Sequence, residues 1–418
     1  MPPSAPTVLQ VIPELDAGGA ELTTLEVAEA VIAAGGAAII VTRGGRLVPK
    51  ARNLGADVIE RDVATKSPWA LGSNATWMSR LIRDRGVALI HARSRAPAWS
   101  AERAARVTGI SFVTTYHGAY AEKGRLKRAY NRVMARGDLV IANSAYIADL
   151  IRERYGTAPD RIRIINRGVD LAAFDARHFD DRADRVTDAP SDGIDSANRR
   201  TQIRAMLGLA HDDTRPLILH PARLTRWKGQ PTVIAAARLL KERGQRNAVF
   251  VLAGDDQGRT AYSDELRSTI AAAGLERSVL MPGHISDMPA LISLARAVLI
   301  ASTDPEAFGR TSAEAQAMGV PVIATNIGAP RETVLAAPAV PEDTTTGWHV
   351  PPADPTALAD ALDELLGLSD DAYSALSSRA AAHARSTYST TQLQRQTLAV
   401  YDTLLGTSLE VLFESQLR

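Results

Sequence analysis

The sequence predicts an α/β protein built of two doubly wound domains facing an interdomain cleft, and three observations carry that prediction. Short β-branched runs alternate with helical stretches along the chain, and the strand runs are apolar throughout. Apolar strands separated by helices imply parallel sheets covered on both faces. At 418 residues the chain is too long for one ordinary core and suits two. A charge-crowded stretch at 175–205, nearly free of large apolar groups, lies between the two alternating halves.

In the first half the strands read "TVLQVIP" (7–13), "AAIIVTR" (37–43), "DVIERD" (57–62), "ALIHARS" (88–94), "SFVTTYHG" (111–118) and "LVIANS" (139–144). Between the first two, Leu22, Leu25, Ala28 and Ile32 form one helical stripe from Glu21 to Ala34 before "GG" stops it. The second half repeats the pattern with "PLILHPARL" (216–224), "AVFVLAGD" (248–255), "SVLMPGHI" (278–285), "AVLIAST" (297–303) and "PVIAT" (321–325). The 175–205 stretch cannot bury enough area to fold alone and is expected to be a linker or surface insertion, with the domains joined near residue 172. Ligands of open parallel sheets bind beyond the carboxyl ends of the strands. A cleft between two such domains is therefore the expected site.

Composition bounds the function. Apolar residues make up 45% and charged residues 23%, the balance of a globular enzyme. A net charge of +1 gives no global argument for a nucleic-acid partner. With no cysteine, thiolate metal sites and a cysteine nucleophile are excluded. "MPPSAPTVLQVIPEL" lacks the pattern of a signal peptide, and no apolar run reaches the about 18 residues a membrane span requires. The expected location is cytoplasmic, at the inner face of the cytoplasmic membrane if at a membrane at all. The last ten residues, "LEVLFESQLR", resemble a protease-cleavage tag with one Glu in place of the usual Gln, so 409–418 is set aside as a tag remnant.

Three stretches carry chemistry. "DAGGAE" (16–21) follows the first strand and opens the first helix, so Gly18 and Gly19 let backbone approach an anion at a helix start. It lacks the third glycine and the distal acid of a dinucleotide fingerprint, which argues against a nicotinamide-dependent oxidoreductase. In "PARLTRWKGQ" (221–230), Arg223 and Lys228 lie five apart across a loop, a fork and an ammonium suited to a departing phosphate. A helix start disfavours lysine, so Lys228 reads as functional rather than decorative. In "STDPEAFGRTSAEAQAMGVPVIAT" (302–325), Glu306 lies in a loop and Glu314 in the helix beginning near Arg310. Carboxylates accept from paired hydroxyls, as sugars and riboses present them, and the N–H groups of Phe308, Gly309 and Arg310 meet hydroxyls or phosphate.

"PEAFGRTSAEAQAMGVPVIAT", together with "ARLTRWKG", "YHG" (116–118) and "NRGVD" (166–170), resembles the retaining nucleotide-sugar glycosyltransferases of family 4, whose GT-B fold is a pair of Rossmann-like domains. The E-x7-E signature is met by Glu306 and Glu314. The resemblance implies that Arg223 and Lys228 neutralise the leaving diphosphate, and that Glu314 holds the ribose. It implies that Glu306 holds the transferred sugar with the Phe308 and Gly309 backbone, and that Gly18 and Gly19 approach the diphosphate. His117 would line the cleft near the reacting sugar, with Asp255 and the backbone near His284 and Ile285 close to the nucleoside. The family's NGVD is NRGVD here, with an inserted-looking Arg167 that bears on the hinge, and Arg310 stands where many members are aliphatic. No cofactor or catalytic metal is expected, since Arg, Lys and helix dipoles supply the positive charge, and attack is expected from the front face.

The implied organisation is an acceptor domain at 1–172, the charged linker at 173–205, a donor domain at 206–385, a C-terminal helix at 386–408 packing back on the first domain, and the tag remnant. The partners implied are a nucleotide-sugar donor and a glycolipid or oligosaccharide acceptor, by similarity to enzymes that extend lipopolysaccharide cores. For the acceptor, Arg93 and Arg95 in "HARSRAPAWS" suit a phosphate or carboxylate. "AEKGRLKRAYNRVMARG" (121–137) reads as an amphipathic helix with a Leu126, Tyr130, Val133, Met134 stripe and Lys123, Arg125, Lys127, Arg128, Arg132 and Arg136 around it. Such a segment docks on anionic lipid, although a core-facing helix with a solvated cationic face explains it equally well. A small soluble or exopolysaccharide acceptor, and a non-catalytic sugar-nucleotide binder, are the alternatives.

Overall fold

The computed structural model describes residues 6–16, 18–120, 122, 124–179, 196–210, 212–244 and 247–417. Their contacts divide the chain into two units, one of 1–168 with 390–418 and one of 169–389.

The first unit is built on β1 (Thr7–Val11), β2 (Ala37–Thr42), β3 (Asp57–Glu60), β4 (Val87–Ala92), β5 (Ser111–Tyr116), β6 (Leu139–Ala142) and β7 (Ile162–Ile164), in the order β3-β2-β1-β4-β5-β6-β7. All its neighbouring pairs are parallel. The second is built on β8 (Leu217–Pro221), β9 (Val249–Ala253), β10 (Val279–Gly283), β11 (Ala295–Ile300), β12 (Val322–Thr325) and β13 (Gly347–Val350), in the order β10-β9-β8-β11-β12-β13, again parallel. Strand order reverses between β1 and β4 in one sheet and between β8 and β11 in the other, which fixes where loops diverge and leave room for a ligand. Every strand expected from the sequence is present. β7 and β13 were not read, because an edge strand covered on one side needs no continuous apolar run, and "IRI" and "GWHV" have none.

Burial explains the local choices. Val8, Val31, Ile40 and Leu89 fill the first core, joined from the far end of the chain by Leu398 and Tyr401 of the helix Thr390–Leu405. In the second unit, Ile218, Phe250 and Leu299 face one cluster while Leu219, Val251 and Val298 face another, so alternate residues of each strand serve the sheet's two sides.

Two stretches that the sequence reading set apart from the fold take part in it. The tail set aside as a tag remnant forms the helix Leu409–Gln416, in which Leu409 and Phe413 are buried in the first core. Asp402 accepts from the N–H groups of Leu409 at 2.7 Å and Glu410 at 2.9 Å, capping that helix. The charged stretch at 173–205 is not a linker in its described parts. The turn Ala176–Phe179 and the helix Ser196–Met206 send Phe179 and Ile203 into the second core, and Arg199 pairs with Asp287 at 2.7 Å. Few but well-spaced apolar groups sufficed. Residues 180–195 of that stretch lie outside the described residues. No helix among the described residues is long and apolar enough to cross a membrane.

Candidate active site

In the second unit the site grows from the switch point. Lys228 ends the short turn Arg226–Lys228 beyond β8, and Gly229, at φ 77°, swings the chain into the helix Gln230–Glu242. Only glycine tolerates this place: a Cβ there would lie 1.9 Å from the Ala301 carbonyl oxygen, just past β11. The Thr303 N–H bonds the Trp227 carbonyl at 2.7 Å and fastens the two loops together.

That close approach brings the Lys228 ammonium to Glu306, Nζ to Oε1 at 2.7 Å, with the two side chains 16% and 11% exposed. The same oxygen accepts from the Ser302 hydroxyl, whose own carbonyl is held by Thr325 Oγ1 at 2.8 Å. Glu306 is also fixed through its backbone, which pairs with Gly328 and accepts from the Ala329 N–H at 2.9 Å. The carboxylate is thus oriented from three sides. Beneath it on β8, buried His220 lies 3.0 Å from the Leu299 carbonyl through Nδ1. A carbonyl only accepts, so the proton sits on Nδ1. Burial first, with the Lys228 charge adding to it and the Leu299 bond opposing, pushes His220 down to about 4.

Gly309, at φ 81°, precedes the helix Arg310–Ala317, which carries Glu314. Phe308 is buried edge-on against Tyr388, with centroids 5.5 Å apart, and anchors the loop that presents these N–H groups. Arg310 turns along its own helix and donates from Nε to Glu314 Oε1 at 3.1 Å. Arg223 is exposed in the loop after β8, and its carbonyl accepts from Gln230 at 2.9 Å. Asp255, exposed after β9, receives the Gln257 N–H at 2.7 Å. Beyond β10, His284 is exposed while the Ile285 side chain belongs to the core, which leaves Ile285 only its backbone to offer.

In the first unit Gly18 caps the helix Gly19–Ala33 beyond β1, and His117 follows β5. Arg167 donates to the His117 carbonyl at 3.2 Å and lies 3.4 Å from His117 Nδ1. Burial, then Arg167, then Arg93 hold the His117 imidazolium well below the usual histidine range. Arg93, expected to face an acceptor or membrane, is instead 2% exposed. It donates from Nε to Gln10 Oε1 at 2.9 Å and from Nη1 to Thr115 Oγ1 at 3.4 Å, and burial lowers it to about 10. A cation this deep cannot meet a membrane. The adjoining network runs from Thr115 through His91 to Tyr401, each step 2.7 Å.

Arg95 opens the helix Arg95–Thr108, with its guanidinium 4.1 Å over the Tyr120 ring and bonded to Asn131 at 2.9 Å. The basic segment is less helical than its periodicity suggests: a helix of seven residues, Arg125–Asn131, gives way to the turn Arg132–Ala135. Val133 and Met134 are buried, but Leu126, expected in the same stripe, is 89% exposed. Lys127, Arg128 and Arg132 are all exposed, and Lys123 lies outside the described residues. Ser302, Gly229 and His220 were missed by sequence reasoning. The serine four residues before Glu306 and the glycine after Lys228 were visible signals, while nothing local marked His220.

Residues 17–173 match the model of Glycosyltransferase Family 4, and residues 203–383 match that of Glycosyl transferases group 1. A glycosyltransferase from Rickettsia africae is 31% identical, with a TM-score of 0.83, over 96% of this chain and 99% of that one. The chain belongs to the family 4 glycosyltransferases. Its two parallel sheets are those of the GT-B fold. The Anabaena protein HepE, solved in complex with UDP-glucose, shares that fold at 22% identity and TM-score 0.75, over 95% of this chain and all of that one. The D-inositol 3-phosphate glycosyltransferase of Xylanimonas cellulosilytica is 32% identical over 56% of this glycosyltransferase and 50% of its own length. The chain spans about half the length of the first curated relatives it matches.

Proposed function

We propose that this glycosyltransferase moves a hexose-type sugar, with retention, from a nucleoside diphosphate sugar to a hydroxyl of an envelope glycolipid or lipopolysaccharide-core acceptor, without a metal ion. The observation that carries the donor half is the oriented pair of Lys228 and Glu306 at 2.7 Å. An ammonium beside a fixed carboxylate suits a departing diphosphate on one side and sugar hydroxyls on the other. Arg223 beyond the same strand adds a second cation, so phosphate charge is met by fixed side chains. Attack on the departing face fits a carboxylate committed to Lys228 and Ser302 rather than free to act as a nucleophile. The exposed cations Lys127, Arg128 and Arg132 support an anionic acceptor or surface.

A small soluble acceptor is the second reading, favoured by the inositol phosphate in the name of the Xylanimonas relative. The test is hydrolysis and transfer with a panel of labelled nucleotide sugars, UDP-glucose first, each run with and without chelator. Lipid-linked and soluble acceptors are compared in parallel. Turnover of none of the donors would overturn the transfer reading, and loss of turnover in chelator restored by magnesium or manganese would overturn metal independence.

A further inference from the structure

Arg167 stands where the family's motif passes directly from Asn to Gly, and its guanidinium spans two other motifs of the first unit. Nη2 reaches His117, 3.4 Å from Nδ1 and 3.2 Å from the carbonyl. Nη1 lies over Gly19, 1.9 Å from where a Cβ on that residue would be. The fork therefore runs from the glycine turn to the imidazole, and the missing side chain at Gly19 is what makes room for it.

We propose that Arg167 is a positioning residue that fixes His117 as the tautomer with its proton on Nε2, so that His117 meets its ligand as a hydrogen-bond donor and not as a base. A guanidinium has donors only, so an imidazole nitrogen facing it must present its lone pair. The proton of the neutral ring then sits on Nε2. That nitrogen is shielded from solvent and has no hydrogen-bond partner among the described residues, which leaves its N–H available to a ligand oxygen. The groups facing the ring agree. Arg167 approaches from beyond β7 and Arg93 from beyond β4, His91 acts from β4, and Tyr120 bonds the His117 backbone. Asn143, after β6, donates to the His117 carbonyl at 3.5 Å. Two cations beside the ring oppose a third positive charge on it.

The consequence for the reaction rests on the transfer reading above. In a front-face transfer, the acceptor oxygen bonds the anomeric carbon as the bond from that carbon to the diphosphate oxygen breaks. The acceptor proton passes to that departing phosphate oxygen, and an Nε2–H donor steadies an oxygen of the departing diphosphate or of the sugar. The tautomer itself does not depend on that reading and is measured separately.

The experiment is nitrogen NMR of the full chain labelled at histidine, with His117 assigned by loss of its signals in His117→Asn. In the wild type, His117 is expected to show a protonated Nε2 and a bare Nδ1, with no titration between pH 5.5 and 8. Arg167→Met should mix the two tautomers and raise the midpoint, while Arg167→Lys should keep the wild-type pattern. Gly19→Ala is the second variant, should Arg167→Met fail to fold. The three atoms nearest its methyl all belong to the flexible end of Arg167, so it should displace the guanidinium with the same spectral result. A protonated Nδ1 in the wild type, or unchanged signals in Arg167→Met or Gly19→Ala, would overturn the proposal. A donor panel without turnover would strike the transfer reading and leave the tautomer result standing.

Discussion

Gly229 and the Ala301 carbonyl approach so closely that a Cβ on the glycine would sit 1.9 Å from that oxygen. This contact sets the spacing between the loop after β8 and the loop after β11, and so between Lys228 and Glu306. Gly229→Ala must adopt φ near 77° and push backbone away, since the obstacle is a carbonyl and not a flexible side chain. A loss of about 2 kcal/mol or more is expected, with Tm lower by roughly 5 °C for a unit of this size. Turnover should fall further than stability alone explains. Gly258→Ala is the control, because Gly258 shares φ 77° with nothing within 4 Å of its missing side chain. Equal effects of the two changes on turnover would refute the spacing argument.

The two glutamates of the signature are held by different cations, Glu306 by Lys228 and Glu314 by Arg310. Glu306→Gln keeps the shape but removes the charge that orients the ammonium and the sugar hydroxyls. Turnover should drop on the order of 100-fold, with nucleoside diphosphate affinity nearly unchanged. If Glu314 holds the ribose as the family resemblance implies, Glu314→Ala should weaken the same nucleotide roughly tenfold by titration calorimetry. Matching losses of affinity in both variants would end the division of labour.

His220 supplies a pH dependence to stability. The fold favours its neutral form, so its contribution is complete above the ordinary value of 6.5 and is lost as pH falls from there through about 4. The loss should approach on the order of 3 kcal/mol in acid. Denaturant unfolding at pH 7 and pH 4 should therefore show a larger fall for the wild type than for His220→Asn, whose amide still donates to the Leu299 carbonyl. Identical falls in the two proteins would show that His220 does not titrate as its burial requires.

What was legible in the sequence was whatever depends on continuous patterns. The apolar strands gave both sheets except β7 and β13, two of the four edge strands, whose short sequences hold no continuous apolar run. Glu306, Arg223 and Lys228 were legible because they stand in the connections that follow strands, and Glu314 because it stands in the helix that one such connection opens. Arg93 was misread because a cation at a strand end looks exposed, whereas Gln10, contributed 83 positions earlier by β1, buries and satisfies it. His220 was invisible, since a histidine within an apolar strand carries no sign of the lysine eight positions on. The tail was set aside from the fold because its resemblance to a tag outweighed the spacing of Leu409 and Phe413, one helical turn apart and both buried.

The basic segment yields the last prediction, and the structure alters its terms. The apolar member expected to face the core, Leu126, is 89% exposed, flanked by the exposed cations Arg125, Lys127 and Arg128. An exposed leucine amid cations is what an anionic lipid surface would engage by both insertion and charge. Each cation near such a surface contributes about 1 kcal/mol, so a Lys127→Glu, Arg128→Glu, Arg132→Glu variant should lose most of its sedimentation with phosphatidylglycerol vesicles. Leu126→Ser should weaken sedimentation less, and in a way that added salt does not mimic. Wild-type binding should itself decline as salt rises, because exposed charges are screened within about 10 Å at 0.1 M. Donor hydrolysis should be unchanged in both variants, since none of these side chains belongs to the donor residues of the second unit. Unchanged sedimentation of the folded triple variant would return the segment to an ordinary solvated face, with the acceptor then sought among soluble sugars.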